Sequence, residues 1–382
     1  MKPEPILLVS THLAPGGTRV ALGIITEQLS TRGYTVSTVA LYRGHGDATV
    51  QITASGNSHV LVETAEPRLI DYARAYVRLG RLIRELRPRA VLGVMPAANL
   101  LAGVCAKAAR VPQRVACHHT VRCFQHPVMR CLDTLAMFGG IFTDVVCVSQ
   151  TVADSFNGVH RYHSRMHVIP NGIPSFAVTR TRSQVRRQHG LSEREPILCM
   201  IGRLVPEKNV LAAVTAACRV PRVRLAVAGD GPLHTAAAAI IATAGAGDRV
   251  RLLGPLDHRS ALELIHAADG FVQVSHYEGR SLALLEALMA KSPILASDIP
   301  AQREALTTPQ GEIAALLCPP DDVEALSIAM SRLASEPQLR RDLSARAAQL
   351  GPTLDVGRMG DAYHELLDGF HGHAAYAPEG TK

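Results

Sequence analysis

Short apolar runs rich in β-branched residues alternate with longer segments of helical periodicity through both halves of the chain. This alternation is typical of parallel sheets whose crossover helices cover both faces. The predicted strands are Ile6–Val9, Thr35–Leu41, Val91–Met95, Val115–Cys117, Val145–Val148 and His167–Ile169 in the first half, and Ile197–Ile201, Leu225–Ala228, Val250–Leu253, Phe271–Val274 and Ile294–Ala296 in the second. We therefore expect an α/β protein built from two Rossmann-like, doubly wound parallel sheets.

The length of 382 residues also suits two domains, at about 150 residues per domain. The polar stretch 175–195 shows no apolar period, which predicts a linker at about 172–190. We expect an N-terminal domain over 1–175, a C-terminal domain over 176–352, and a C-terminal helix within 353–382 that can cross back to the first domain. The tail after Phe370 is predicted to be frayed.

Composition and charge exclude several classes of protein. Hydrophobic residues make up 47% and charged residues 19% of the chain, which excludes a disordered protein. Aromatic residues are only 4% and Trp is absent, which argues against carbohydrate modules built on Trp and against base-stacking nucleic-acid binders. Residues 1–175 hold 18 Lys and Arg against 10 Asp and Glu, whereas the rest is nearly neutral. The basic half favours an anionic partner.

Seven arginines recur at helical spacing in the segment Arg68–Arg89, beside apolar residues such as Leu69, Ile70, Leu79 and Ile83. A helix of this kind can attach to an anionic membrane surface. The other interpretation is an ordinary solvated helix face. The run Ile6–Val9 is too short for the core of a signal peptide, so we expect a cytoplasmic protein, with peripheral contact at the inner face of the membrane.

The eight cysteines form no CxxC pair, and we interpret them as buried small hydrophobic residues. Cys117, His118, Cys123 and His126 are suitable metal ligands by type, but their spacing matches no known metal pattern. The chain also lacks an Asp-x-Asp sequence. We therefore expect no metal and no other cofactor.

Ligands of open parallel sheets bind at the carboxyl ends of the strands. After the first strand, Gly16 and Gly17 precede a helix, where amide groups can approach an anion or simply form a turn. After the first strand of the second half come Gly202, Arg203 and Lys208, a glycine and two cations that suit a diphosphate.

The next strand ends in Gly229-Asp230-Gly231, a turn that resembles half of a dinucleotide fingerprint. His234 stands where the third glycine of that fingerprint would be, and no acidic residue follows the next strand. An NAD-dependent oxidoreductase is therefore disfavoured.

The most specific segment is 275–290, in which Glu278 follows a strand and Glu286 lies inside the next helix. The helix start at Gly279, Arg280, Ser281 and Leu282 offers free amide groups to an anion. Glu286 lies among leucines, so its carboxylate needs a hydrogen-bonding partner, for which a sugar or ribose diol is suitable.

Together with Val168–Ile173, these motifs resemble the retaining glycosyltransferases of family 4, over about residues 5–350. The resemblance implies the GT-B fold, with two Rossmann-like domains facing a cleft. It implies that Arg203 and Lys208 hold the nucleotide diphosphate, that Glu286 holds the ribose and that Glu278 holds the transferred sugar. The expected nucleotide-sugar site comprises Gly16, Gly17, Gly202, Arg203, Lys208, Gly229, Gly231, Glu278, Gly279, Arg280, Ser281, Leu282 and Glu286.

The family also has a histidine near the reacting sugar, and the resemblance implies catalytic roles for His119, Glu278, Arg203 and Lys208. His118 competes with His119, but His119 is followed by Thr120, which fits the family's His-Thr pair. Pro174, Arg280 and Ala283 depart from residues common in the family, which leaves the donor sugar open.

The implied reaction transfers a hexose or N-acetylhexosamine from a nucleotide diphosphate sugar, with a UDP- or GDP-sugar as the first choice, to an acceptor hydroxyl with retention. The expected partners are this donor and an anionic or lipid-linked acceptor in envelope glycan, glycolipid or related glycoside biosynthesis. A same-fold nucleotide-sugar epimerase or sugar phosphorylase is the alternative, and turnover without acceptor would distinguish it. A basic nucleic-acid-binding protein is the non-enzyme alternative, although no nucleic acid is expected.

Overall fold

The computed structural model describes residues 4–14, 16–44, 58–157 and 165–369. Their contacts divide the chain into two compact units, with boundaries at 172/173 and 354/355. The N-terminal unit contains the described residues up to Gly172 and those from Asp355 onward, and the C-terminal unit spans Ile173–Leu354. The predicted tail after Phe370 lies outside the described residues.

Each unit contains one sheet, and every strand pair in both sheets is parallel. The strand order is β3-β2-β1-β4-β5-β6-β7 in the N-terminal unit and β10-β9-β8-β11-β12-β13 in the C-terminal unit. The strands are β1 Glu4–His12, β2 Tyr34–Tyr42, β3 Ser58–Val62, β4 Ala90–Val94, β5 Gln113–His118, β6 Asp144–Cys147, β7 Met166–Val168, β8 Ile197–Ile201, β9 Arg224–Ala228, β10 Val250–Gly254, β11 Gly270–Gln273, β12 Ile294–Ser297 and β13 Leu316–Cys318.

Helices connect these strands, and the last helix, α14, packs on α1 in the N-terminal unit. The helices are α1 Gly17–Thr31, α2 Leu69–Leu86, α3 Pro96–Ala108, α4 Pro127–Phe138, α5 Gln150–Asp154, α6 Arg182–Gln188, α7 Val210–Arg219, α8 His234–Thr243, α9 His258–Ala267, α10 Leu282–Met289, α11 Pro300–Leu306, α12 Val323–Ser335, α13 Pro337–Leu350 and α14 Val356–Asp368. The predicted pair of Rossmann-like parallel-sheet domains is confirmed.

The apolar runs form strands because both faces of each sheet are covered. Along β1, Ile6 and Leu8 face the side of α1 and α14, whereas Leu7 and Val9 face the side of α2 and α3. All four side chains are at most 1% exposed. A strand buried on both faces needs a continuous apolar run, which is the pattern that predicted it.

The prediction of a linker at 172–190 is wrong for its second half. Residues 182–188 form α6, which packs on α9 and inserts Arg186 into the C-terminal unit. The Arg186 guanidinium donates to the Ala267 carbonyl at 2.9 Å and to Asp269 Oδ2 at 2.7 Å. The apolar period is weak here because an arginine with buried partners replaces an apolar anchor.

The prediction of seven arginines on one helix is also wrong at its end. Helix α2 stops at Leu86, and Arg87 closes it in a left-handed conformation at φ 45°. Arg89 lies beyond the helix, where it pairs with Glu4 and donates to the Leu367 carbonyl at 2.7 Å. Leu79 and Ile83 face the core rather than solvent.

Candidate functional site

Two loops, which follow β8 and β9, meet each other and the last residue of β10 at the carboxyl edge of the C-terminal sheet. The Gly202 amide donates to the Ala228 carbonyl at 3.0 Å, and the Leu204 amide donates to the Asp230 carbonyl at 2.8 Å. The Gly229 amide donates to the Gly254 carbonyl at 2.8 Å. The predicted glycine loops 202–204 and 229–231 are therefore joined by backbone hydrogen bonds.

Glycine is required at two positions of this junction. A Cβ atom on Gly229 would lie 1.8 Å from the Gly202 carbonyl oxygen, and one on Gly231 would lie 2.5 Å from the Leu204 carbonyl oxygen. Gly229 and Gly231 also have φ values of 146° and 155°, which L side chains rarely adopt. The two glycines allow the loops to touch backbone to backbone.

Glu278 is the centre of a polar cluster in the loop after β11. Its Oε1 accepts hydrogen bonds from Lys208 Nζ at 2.5 Å, Ser275 Oγ at 2.7 Å and Gln273 Nε2 at 2.9 Å. Lys208 ends a 3-10 turn that follows the loop after β8, so the cluster joins two strand ends. The structure thus brings together two of the predicted site residues, and it adds Gln273 and Ser275, which the sequence analysis missed.

The loop that presents Glu278 is anchored from neighbouring elements. Ser297 Oγ, at the end of β12, donates to the Ser275 carbonyl at 2.5 Å, and Gln302 Nε2, in α11, donates to the Gln273 carbonyl at 3.1 Å. Ser281 donates from Oγ to Gln273 Oε1 at 2.9 Å. These bonds hold the carboxylate of Glu278 in one orientation, as a binding site requires.

Ser281 is the N-cap of α10, and its Oγ accepts from the Leu284 amide at 3.4 Å. Gly279 is buried and Arg280 is partly buried in the loop just before it, and Leu282 opens the helix. The predicted anion-binding helix start therefore directly follows the Glu278 cluster in the chain.

Glu286 lies in α10 and is 6% exposed. Its Oε1 is 2.7 Å from His258 Nε2, in the first turn of α9. This hydrogen bond raises the pKa of His258 above its usual value. The sequence analysis expected a partner for the buried carboxylate but did not identify His258, which lies on another helix.

Arg203 extends from the loop after β8 and is mostly exposed. Its Nη2 pairs with Glu207 Oε1 at 3.2 Å, four residues further along the chain. This exposed guanidinium is therefore accessible to an anionic ligand at the same edge of the sheet.

The remaining predicted residues lie in the N-terminal unit, where they follow two strands of its sheet. Gly16 is the N-cap of α1 at φ 151°, and Gly17 is its first residue; both are exposed. His119 directly follows β5 and is partly buried. Its Nε2 atom is enclosed and has no hydrogen-bond partner among the described residues. Burial lowers the pKa of His119 to about 4.

The His118 side chain is only 1% exposed, so it does not form part of a ligand-binding surface. Its Nε2 lies 3.7 Å from Asp133 Oδ2, and its ring lies 4.7 Å from that of Phe156. Burial lowers the pKa of His118 and raises that of Asp133, because desolvation disfavours the charged form of each group. This enclosure favours a structural role for His118.

Within the described ranges, no three His, Cys, Asp or Glu side chains converge in a way that could hold a metal ion. The eight cysteines are free thiols, of which Cys123 and Cys131 are exposed and Cys218 is partly buried. The expectation that all eight are buried is therefore wrong for these three.

The class of the protein follows from the two Rossmann-like sheets together with family comparisons. Residues 15–175 match the family model described as Glycosyltransferase Family 4, and residues 181–350 match Glycosyl transferases group 1. A solved structure of Anabaena Alr3699/HepE in complex with UDP-glucose has a TM-score of 0.81 at 19% identity and covers 96% of this chain and 99% of that one. Each half of the chain thus matches a glycosyltransferase family model, and the fold is the GT-B fold.

Curated relatives match over shorter regions. An alpha-D-kanosaminyltransferase from Streptomyces kanamyceticus is 28% identical over 173 residues, which is 44% of each protein. A glycogen synthase from Mycobacterium tuberculosis is 33% identical over 196 residues, which is 49% of this chain and 44% of that one. This chain thus spans less than half the length of these two relatives.

Proposed function

We propose that this protein transfers a hexose or N-acetylhexosamine from a nucleotide diphosphate sugar to an acceptor hydroxyl, with retention of anomeric configuration and without a metal. The observation that carries the proposal is the Glu278 cluster, in which a lysine and a carboxylate meet 2.5 Å apart beside two glycine loops. The relatives' names support sugar transfer, and the Anabaena structure with UDP-glucose supports a UDP-sugar donor, with a GDP-sugar as the next choice.

The residues have distinct roles in this proposal. Lys208, Arg203 and the amides at the start of α10 stabilise charge on the leaving diphosphate, which is the largest electrostatic term in such a reaction. Glu278 accepts hydrogen bonds from the transferred sugar, and Glu286 accepts them from the ribose. The glycine loops 202–204 and 229–231 allow the nucleotide to lie against the backbone.

The transfer takes place on one face of the sugar. The bond between the anomeric carbon and the diphosphate oxygen breaks, and the bond to the acceptor oxygen forms on the same face. The acceptor proton passes to an oxygen of the leaving phosphate. The protein supplies no nucleophile in this scheme, and His119 contributes a neutral imidazole beside the reacting sugar, consistent with its lowered pKa.

A thermal-shift screen with UDP, GDP, ADP, dTDP and their sugars tests the donor part. A ligand at 100 times its Kd adds about 2.7 kcal/mol to the stability of the state that binds it. We expect one nucleotide and its sugar to raise the melting temperature by several degrees. Stabilisation by none of them would contradict the proposal, and turnover of the donor without acceptor would point instead to an epimerase.

Two substitutions test the site itself. Arg203→Ala and Glu286→Gln are each expected to lower transfer at least about a hundredfold, because each removes a charged contact to the nucleotide. The matched control is Arg332→Ala, which removes another exposed arginine that pairs with a glutamate four residues on. Equal activity of Arg203→Ala and the control would exclude Arg203 from the site.

The acceptor is proposed to be anionic or lipid-linked, in envelope glycan, glycolipid or related glycoside biosynthesis, with the protein in peripheral contact with the inner face of the membrane. The excess of cations in residues 1–175 supports this. Activity is expected to survive EDTA, because Arg203 and Lys208 replace a metal at the diphosphate. Loss of transfer on chelation, restored by Mg²⁺ or Mn²⁺, would contradict this part.

A further inference from the structure

Helix α4 carries apolar side chains on two opposite faces. Ala136 and Met137 face the core of the N-terminal unit. Val128, Leu132, Leu135 and Phe138 lie on the outer side and are between 41% and 60% exposed. These four recur at spacings of four, three and three residues, so they form one continuous stripe along the helix. A helix that is apolar on both faces is usually covered on both.

The exposed apolar side chains of the described residues are concentrated around this stripe. Ten of the twelve large ones fall within residues 69–138, on α2, α3, α4 and the turn before α4. Helix α3 packs against both α2 and α4, and all three cover the same face of the N-terminal sheet. We call these three helices the outer layer. Val178 and Ile328 are the two such side chains elsewhere.

Positive charges outnumber negative ones on the outer layer, although α2 carries Asp71 and Glu85. Between residues 86 and 143 the chain holds seven Lys and Arg, and its one acidic residue is Asp133. Asp133 is fully buried against His118, so it adds no charge to the surface. Arg74 and Arg81 extend the positive surface along α2. An apolar stripe beside an excess of cations matches the interface of an anionic lipid bilayer.

We propose that the outer layer attaches the protein to an anionic bilayer. The α4 stripe enters the boundary between headgroups and acyl chains, and the cations contact lipid phosphates. This proposal rests on the peripheral membrane contact proposed above. It places the main membrane-contacting residues on α4 rather than on the arginine segment of α2. A second copy of the chain is a poorer occupant, because a two-fold contact would place the two cationic surfaces against each other. No described helix is both long and apolar enough to cross a membrane.

Cosedimentation with vesicles tests the proposed membrane contact. The vesicles are phosphatidylcholine alone, or three parts phosphatidylcholine to one part phosphatidylglycerol. The wild-type chain is expected to pellet with the anionic vesicles and to be released by salt. Leu132→Gln/Leu135→Gln is expected to lower this binding at least about tenfold, because two apolar side chains no longer enter the boundary. Ile328→Gln, an equally exposed apolar residue of the C-terminal unit, is the matched control and is expected to bind as wild type.

Arg74→Gln/Arg81→Gln is expected to weaken binding to anionic vesicles about tenfold or more, since each cation near such a surface contributes about 1 kcal/mol. Equal binding of the wild-type chain to neutral and anionic vesicles, or unchanged binding of the Leu132/Leu135 variant, would overturn the proposal. The proposal would also be overturned if light scattering showed a wild-type dimer and a monomeric Leu132/Leu135 variant, since the stripe would then be a dimer interface. The nucleotide-induced thermal shift should be the same in all variants. This separates failure of the membrane proposal from failure of the transferase proposal.

Discussion

Replacing Glu278 by Gln is the most informative single change, because it removes one charge and almost no volume. Glu278 Oε1 accepts from Lys208, Ser275 and Gln273 in the native protein. The glutamine oxygen can still accept hydrogen bonds, but the Lys208 ammonium loses its counter-charge. The side chains of Lys208 and Glu278 are only 23% and 10% exposed, so water replaces that charge poorly.

The magnitude lies between two limits. Breaking a fully buried ion pair costs about 3–5 kcal/mol, and a surface pair contributes about 0–1 kcal/mol. For this partly buried pair we expect a loss of about 2 kcal/mol. A domain of roughly 150–250 residues loses about 2–4 °C of melting temperature per kcal/mol, so the expected drop is about 4–8 °C. The matched control is Glu207→Gln, whose partner Arg203 is 61% exposed and four residues away. Its expected drop is under about 2 °C, since such pairs contribute about 0.3–0.5 kcal/mol.

Differential scanning calorimetry of the full chain measures both variants. The same variant also separates the two roles of Glu278, because isothermal titration should show a greater loss of affinity for the nucleotide sugar than for the bare nucleotide. A Glu278→Gln melting temperature equal to that of Glu207→Gln would refute the stability reasoning. Equal losses of affinity for sugar nucleotide and nucleotide would refute the contact to the sugar.

Three further outcomes are expected. Gly229→Ala should lower the melting temperature and abolish nucleotide-induced stabilisation, because its Cβ would lie 1.8 Å from a carbonyl oxygen, whereas Gly247→Ala, which meets nothing within 4 Å, should do neither. His119→Ala should lower the transfer rate at least about tenfold, whereas His118→Ala should lower mainly the melting temperature. A greater loss of rate for His118→Ala than for His119→Ala in steady-state kinetics would exchange their roles. The pKa of His258 is raised, so its pair stabilises the fold fully below about pH 6.5 and loses this effect as pH rises through the raised pKa. The difference in stability between wild type and His258→Gln should therefore be greater at low than at high pH, and an equal difference in denaturant titrations at both would contradict the pair.

The sequence determined the central strands of both sheets. Ile197–Ile201 was predicted with the bounds that β8 has, because a strand covered on both faces must be apolar throughout. The short, partly exposed edge strands β3 and β13 were missed, whereas the edge strands β7 and β10 were predicted. A short run with partial burial leaves no pattern that distinguishes it from a loop.

The sequence also located Glu278, Lys208 and Glu286, because strand ends and helix starts carry the polar groups of such folds. Tertiary structure alone decided what each of them contacts. Glu286 meets His258 from another helix, and α6 is held by Arg186 through Ala267 and Asp269. Local patterns report which face of an element is buried, since burial repeats with the period of the helix or strand. They do not report which polar atom meets which across elements, because that depends on how the packed elements are oriented in space.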